Sequence, residues 1–247
     1  MLLPSLLTTW RMWARVLPAL AEDYDVLALT LLGHGGRPWP ETRPATLDSV
    51  VDDVVDQMSA AGLDDAHVAG VSMGGLVAME LARRGRARSV TAFAPGGGGP
   101  VPDTRLPRLL KQLVRQTRVS RPAMPLLMRS ARVRRAALRT SIEHAERMTV
   151  AECLTMADDL VATSPRVHEA IGVLAQAGPQ PYGDLGVPVH IAWPEHDRDT
   201  PFDPYGVGWD RLVPGARRSV VPDAGHLPVV DAPEAVLATI RATARDA

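Results

Sequence analysis

The chain has 247 residues, of which 46% are hydrophobic, so it can bury the core of one large domain and is neither disordered nor fibrous. Its 27 basic and 28 acidic residues leave a net charge of -1, which does not favour a nucleic-acid-binding protein. The only cysteine, Cys153, excludes an intrachain disulfide framework and a cysteine-rich zinc site, and it predicts a reducing, cytoplasmic location. No apolar run is long enough to predict a membrane span or a signal peptide.

Short apolar segments alternate with helical patterns in the first and last parts of the chain. The segments that predict buried strands are 26–29, 66–71, 90–94, 187–193 and 219–221. Apolar residues recur at helical spacing from Leu47 to Met58, and a second helix is predicted from Leu76 to Arg84, each followed by a glycine. This alternation predicts an α/β fold with a doubly wound, mostly parallel sheet.

Residues 96–183 differ from the rest in charge and in pattern. They hold 13 basic and 7 acidic residues, whereas the remainder holds 14 and 21. The segment contains helical periodicity without a clear strand, including an amphipathic helix over 106–114 and a possible capping box at Thr149 and Glu152 for a helix running toward Val161. We therefore predict a core of residues 1–95 and 184–247 with an inserted helical cap of residues 96–183.

Two features of the cap have both a structural and a functional interpretation. From Arg105 to Arg139 there are eleven basic residues and no acidic one, which favours a solvated helix face over a surface for an anionic substrate or an acidic partner. Four apolar residues, Met124, Leu126, Leu127 and Met128, predict packing within the cap, and they could equally form the floor of an apolar acyl pocket.

A serine lies in a glycine-rich turn between a predicted strand and a predicted helix. The sequence from Gly70 to Gly74 reads G-V-S-M-G, the G-x-S-x-G pattern that places Ser72 on a sharp, strained turn as a nucleophile. The two glycines leave room where side chains would collide with neighbouring elements. The alternative is an ordinary turn in which Ser72 caps the helix.

A serine nucleophile needs a base and an orienting acid, and both follow later strands. His226 follows the last strand, and Asp197 follows the strand before it, in the order Ser, Asp, His. Three other aspartates lie nearby, and Asp199 is the second candidate for the acid. We expect His34 and His196 to be structural or to lie behind the substrate site.

Several motifs together resemble the α/β-hydrolase superfamily, in the branch of small carboxylesterases, carbon–carbon bond hydrolases and haloperoxidase-like enzymes. These motifs are Leu32-Gly33-His34-Gly35, the serine turn at 70–75, Asp197 with Pro201, Gly225-His226-Leu227-Pro228, and Asp231-Ala232-Pro233-Glu234. The resemblance covers nearly the whole chain apart from the insertion. It implies that oxyanion donors are the backbone N–H groups of Met73, next to the nucleophile, and of Leu6, by its spacing.

The chain departs from the family pattern in two places. The His-Gly dipeptide expected before the first oxyanion donor is replaced by Leu3-Pro4-Ser5-Leu6. The chain also begins at this loop, so the resemblance implies that the two preceding strands and most of the third are absent from the 247 residues.

Taken together, the motifs predict a serine hydrolase that cleaves a carboxylic ester or a related carbonyl substrate with an apolar acyl or aryl group through an acyl-enzyme. No metal or organic cofactor is implied, and neither nucleic acid nor a membrane is an expected partner. The alternatives are carbon–carbon bond hydrolysis or perhydrolysis by the same triad, or a hydrolase fold that only binds a ligand. The serine at position 72 argues against relatives that need an aspartate there, such as haloalkane dehalogenases and epoxide hydrolases.

Overall fold

The computed structural model of the protein describes residues 1–99, 106–177 and 181–247. Within these residues, five parallel strands form one sheet in the order β1-β2-β3-β4-β5. The strands are β1 (Leu2–Leu3), β2 (Ala66–Val71), β3 (Ala87–Phe93), β4 (Val189–Pro194) and β5 (Arg217–Val221). The parallel sheet expected from the alternating sequence pattern is confirmed.

Helices flank the sheet and form the long connection between β3 and β4. They are α1 (Leu17–Ala21), α2 (Leu47–Ala60), α3 (Met73–Arg83), α4 (Leu106–Ser120), α5 (Met124–Leu127), α6 (Ala131–Leu138), α7 (Val150–Val161), α8 (Pro165–Ala177), α9 (Trp209–Leu212), α10 (Pro228–Asp231) and α11 (Pro233–Arg245). Single turns of 3-10 helix lie at Trp10–Trp13, Arg121–Ala123 and Ala145–Arg147, and a π-turn lies at Phe202–Gly206.

Hydrophobic clusters lie on both faces of the sheet, because successive strand residues point to opposite sides and helices pack on each. In β2, Val68 packs in one hydrophobic cluster with Val50 of α2 and Leu76 of α3. Its neighbour Ala69 packs in the other, whose members from α1 and α11 include Leu20 and Ile240. The chain is therefore arranged in three layers, with a helical layer on either side of the sheet.

The predicted strand at residues 26–29 is reduced to a single bridge. Ala28 pairs in parallel with Leu2, and the neighbouring hydrogen bonds run from Leu2 N to Leu27 O (2.8 Å) and from Leu29 N to Leu2 O (3.0 Å). The segment lies beside β1, which is only two residues long, so there is no longer ladder for it to join. The prediction of a full strand here was wrong.

Residues between β3 and β4 form helices α4 to α8, and no strand occurs among those that the structure describes. The capping box predicted at the start of α7 is confirmed, because Glu152 N donates to Thr149 Oγ1 (3.1 Å) and Thr149 N donates to Glu152 Oε2 (2.6 Å). The helical segment shares the core: Ile142 belongs to one hydrophobic cluster and Val167 to the other. Its treatment as a separate cap domain with the boundaries 96–183 stays a prediction.

Candidate active site

The turn between β2 and α3 holds Ser72 in a conformation that side chains rarely adopt. Its backbone has φ 52° and ψ -114°, in the positive-φ region that is strained for a residue with a Cβ atom. The turn is held against the end of β3 by hydrogen bonds from Ser72 N to Phe93 O (2.8 Å) and from Gly96 N to Ser72 O (3.0 Å). A strained turn between a strand and a helix, held in place by the neighbouring backbone, is the geometry that exposes a nucleophilic serine at the end of a strand.

The glycines on either side of the turn are required by close backbone contacts. A Cβ atom on Gly70 would lie 2.3 Å from the carbonyl carbon and oxygen of Gly74. A Cβ atom on Gly74 would lie 2.4 Å from Leu3 O and 2.6 Å from Pro4 O. The second approach also places the Leu3–Pro4 backbone directly beside the serine turn.

Two other candidate residues form a buried pair. The distance from His226 Nδ1 to Asp197 Oδ2 is 2.8 Å, and the two residues are 5% and 6% exposed. Burial lowers the pKa of His226, but the hydrogen bond and charge of Asp197, with the charge of Asp199, outweigh it and raise this pKa above its usual value of 6.5. The carboxylate can only accept, so Nδ1 carries the proton and Nε2 of the neutral ring is left as an acceptor.

The acid loop after β4 holds Asp197 from several sides. Asp197 Oδ1 accepts from Asp199 N (3.0 Å) and Thr200 N (2.8 Å), and Oδ2 accepts from Thr200 Oγ1 (3.1 Å). Asp199 instead accepts a hydrogen bond from the hydroxyl of Ser141. The structure therefore brings Asp197, and not Asp199, to the histidine.

The three candidate catalytic side chains follow the carboxyl ends of β2, β4 and β5, which lie at one edge of a parallel sheet. Ser72 is half-buried. In the part of the chain that the structure describes, the Ser72 hydroxyl makes no hydrogen bond, to His226 or to any other residue. Hydrogen bonds of this kind are often long before substrate binds and tighten in the complex.

The expected oxyanion donors belong to two segments, the start of α3 and the loop after β1. Met73 is the first residue of α3, where no preceding turn supplies a carbonyl for its N–H and where the helix dipole favours negative charge. Leu6 belongs to the loop after β1, and Gly74 lies against the start of this loop at Pro4.

Asp231 is a site residue whose role the sequence did not reveal. Its carboxylate accepts from three backbone N–H groups at 2.9 Å each, those of Glu143, His144 and Gly225. It thereby ties the residue before His226 to the segment that follows α6. The spacing of Asp231 from His226 belongs to a family motif, but nothing in the sequence indicates which amides it binds.

The remaining cap and histidine predictions have mixed outcomes. Met128 is buried in the cluster that contains Trp13, as predicted, whereas Leu126 and Leu127 are 71% and 43% exposed and are not packed within the cap as predicted. His34 is fully buried, with Nδ1 lying 3.0 Å from Leu32 O, and burial lowers its pKa to about 4.

No group of three or more histidine, cysteine, aspartate or glutamate side chains within the described ranges could hold a metal ion. Among the helices that the structure describes, none is both long and apolar enough to cross a membrane. The cytoplasmic location stays a prediction.

A serine at a strained strand–helix turn, in a parallel sheet whose later strands lead to an aspartate and a histidine, is the arrangement of an α/β-hydrolase. The chain belongs to the α/β-hydrolase family, whose model matches residues 2–239. By this membership it is a hydrolase by class.

Three known proteins show the degree of similarity in sequence and in structure. The epoxide hydrolase EphH of Mycobacterium tuberculosis is 29% identical over 188 residues, which cover 74% of this chain and 88% of the relative. The crystal structure of an enol-lactonase from Burkholderia xenovorans matches with a TM-score of 0.73 at 24% identity. The match covers 99% of this chain and 90% of the enol-lactonase chain. The 2-hydroxy-6-oxo-6-phenylhexa-2,4-dienoate hydrolase of a Rhodococcus species has a TM-score of 0.73 at 23% identity, covering 99% and 89%. The two solved structures are similar in fold.

Proposed function

We propose that the protein is a serine hydrolase that cleaves a small carboxylic ester with an apolar acyl or aryl group. In this proposal Ser72 is the nucleophile, His226 the general base and Asp197 the residue that orients the histidine. The backbone N–H groups of Met73 and Leu6 stabilise the oxyanion.

The observation that carries the proposal is the buried hydrogen bond from His226 Nδ1 to Asp197 Oδ2. Because this bond keeps the ring proton on Nδ1, Nε2 is left free to accept the proton of a serine hydroxyl. A general base is most useful when its pKa lies near the working pH, and the pKa of His226 is raised above 6.5.

In the acylation step, Ser72 Oγ attacks the ester carbonyl carbon and its proton passes to His226 Nε2. The carbonyl oxygen takes the negative charge and accepts hydrogen bonds from the N–H groups of Met73 and Leu6. When the tetrahedral intermediate collapses, the bond from carbon to the alcohol oxygen breaks. The leaving alcohol takes the proton from His226, and the acyl group remains on Ser72.

In the second step, water repeats the attack that the serine made. His226 accepts a proton from the water, the oxygen adds to the acyl carbon, and the bond to Ser72 Oγ breaks. Ser72 recovers its proton from His226 and the carboxylic acid leaves. Hydrolysis is complete without a proton donor from outside the triad.

Three other reactions fit parts of the same site. The same triad can carry out carbon–carbon bond hydrolysis or perhydrolysis, since both also begin at a carbonyl group. Epoxide opening is suggested by the name of the relative EphH. We favour the ester because a serine at the turn attacks a carbonyl, and it argues against family members that need an aspartate at that position, such as epoxide hydrolases.

The test is covalent labelling with a fluorophosphonate, followed by peptide mapping. We expect modification of Ser72 and no labelling of the Ser72→Ala variant. Ser72→Ala and His226→Ala should each lower kcat for a p-nitrophenyl ester by about 10⁴-fold or more with unchanged circular dichroism, because triad members act as a unit. Ser59→Ala, at an exposed position on α2, is the control.

Three results would count against the proposal. Ester turnover by Ser72→Ala at near the parent rate would exclude the mechanism. A folded protein that is not labelled would favour a ligand-binding function. Turnover of a vinylogous diketone or of styrene oxide, but of no p-nitrophenyl ester, would move the protein to carbon–carbon bond hydrolysis or to epoxide opening.

A further inference from the structure

The loop that carries Leu6 contains a strained residue. Leu7 has φ 64°, a left-handed conformation that a bulky L-residue rarely adopts without support. Within the loop, support comes from Thr8, whose N–H and hydroxyl both donate to Ser5 O, at 3.2 and 2.8 Å. These bonds join residues three positions apart and do not fix the loop relative to the serine turn.

An anchor outside the loop comes from the cap. Asp159, on α7, accepts a hydrogen bond from Thr9 Oγ1 at 2.5 Å through Oδ2 and one from Arg11 Nη1 at 2.6 Å through Oδ1. The carboxylate is 5% exposed, and its partners lie about 150 positions earlier in the sequence. Hydrogen bonds to a buried carboxylate are strong, so this contact holds the end of the loop firmly.

The same end of α7 is fixed to the neighbouring loop of the core. Gly36 N donates to Ala162 O (3.0 Å), and Ser164 N donates to Gly33 O (2.7 Å). Gly35 packs directly on Thr9, since a Cβ atom at Gly35 would lie 2.3 Å from Thr9 Cγ2. The carboxylate of Asp159 is therefore held in place by the core on which α7 rests.

From these contacts we infer that Asp159 is a positioning residue for the oxyanion loop, and that the cap in this way takes part in the geometry of catalysis. The inference rests on the proposed function, because it assigns the N–H of Leu6 as an oxyanion donor. Asp159 acts through Thr9 and Arg11 and does not touch the substrate.

The effect of losing the anchor should appear in the transition state. An oxyanion donor works because it is already aimed at the place where negative charge develops, so a loop that moves loses this alignment. The substrate carbonyl before attack carries little charge and needs the donor less. Removal of the anchor should therefore lower kcat and leave KM nearly unchanged.

The experiment compares two variants of the anchor with a matched control. Asp159→Ala removes the whole anchor, and Thr9→Val removes one hydroxyl at nearly constant volume. Glu152→Gln is the control, because Glu152 lies on the same helix and pairs with Arg15 at 2.9 Å, while glutamine keeps the capping box.

Loss of one oxyanion donor costs about 10²- to 10³-fold in kcat. We therefore expect kcat for p-nitrophenyl butyrate to fall about 10²-fold in Asp159→Ala and about tenfold in Thr9→Val. The control should stay within about threefold of the parent. The inhibition constant of an aliphatic trifluoromethyl ketone, which forms an oxyanion on the serine, should rise in parallel. Inhibition by butyramide, whose carbonyl oxygen stays uncharged, should change little. A purely structural role would not separate the two inhibitors.

Failure of this inference can be told apart from failure of the proposed function. If Ser72→Ala keeps its turnover, the proposed function and this inference both fail. If Ser72→Ala is inactive but the anchor variants keep the parent kcat, or if the two inhibitors weaken equally, this inference alone is overturned. Should Asp159→Ala fail to fold, Thr9→Val decides the question by the same measurements.

Discussion

Replacing Asp197 by asparagine tests which acid serves His226. Oδ1 of Asp197 accepts from the backbone amides of Asp199 and Thr200, at 3.0 and 2.8 Å, so the asparagine carbonyl should occupy that side. Its NH₂ group then takes the place of Oδ2 and faces His226 Nδ1 at about 2.8 Å. Because two N–H groups cannot face each other, the ring proton must move to Nε2, and the histidine loses its ability to accept from Ser72.

The size of this effect follows from the loss of the general base. Substitution of the orienting aspartate in a serine triad costs about 10⁴-fold in kcat, which corresponds to about 5 kcal/mol in the activation barrier. Asp199→Asn should change kcat by only a few-fold, because Asp199 is exposed, binds the Ser141 hydroxyl and affects His226 only through its charge.

The assay is kcat/KM for p-nitrophenyl butyrate from pH 5 to pH 9. The base works when it is unprotonated, so activity should fall as the pH drops through the pKa of His226, and the raised pKa places this fall above pH 6.5. In Asp199→Asn the fall should move to lower pH at an almost unchanged plateau. The assignment is refuted if Asp199→Asn is the more damaging variant.

Two further predictions concern stability. Gly74→Ala should destabilise the protein by about 1–3 kcal/mol, because its Cβ would lie 2.4 Å from Leu3 O. Each kcal/mol should lower Tm by about 2–4 °C. Gly215→Ala, in open space, is the control, and equal Tm values for the two variants would contradict the contact. Burial lowers the pKa of His34 from 6.5 to about 4. The neutral, buried ring therefore contributes fully to the free energy of unfolding above pH 6.5, and this contribution is lost as the pH falls toward 4. In urea unfolding, the parent should therefore lose about 2 kcal/mol more than His34→Gln between pH 7.5 and pH 5, and identical losses would rule out this role.

Much of the fold could be predicted from local patterns. The buried runs of β2 and β4 and the helical spacing of α2 are properties of short segments, and so is the capping box of α7, which depends on residues three apart. The segment 26–29 has the same apolar pattern but forms only one bridge, because strand formation also depends on the length of the neighbouring strand. That length is not a property of the segment itself.

The order of the candidate site residues along the chain could be predicted from the sequence. The contacts that hold these residues in place could not. Ser72, Asp197 and His226 follow strand ends that the sequence indicates. The sequence does not separate Asp197 from Asp199, because the choice depends on which carboxylate lies 2.8 Å from the ring. The contact of Asp159 with Thr9 joins positions 150 residues apart, and it exists only because α7 docks on the core.

The convergence of three amides on Asp231 has a consequence for how the histidine is held. Movement of residues 143–144 away from Asp231 would break two hydrogen bonds to its carboxylate, whereas Gly225, the residue before His226, would keep its own. The amides of Glu143 and His144 should therefore become open to exchange with solvent together, and that of Gly225 should stay protected. Asp231 thus lets the segment that follows α6 move without releasing the backbone that leads into His226.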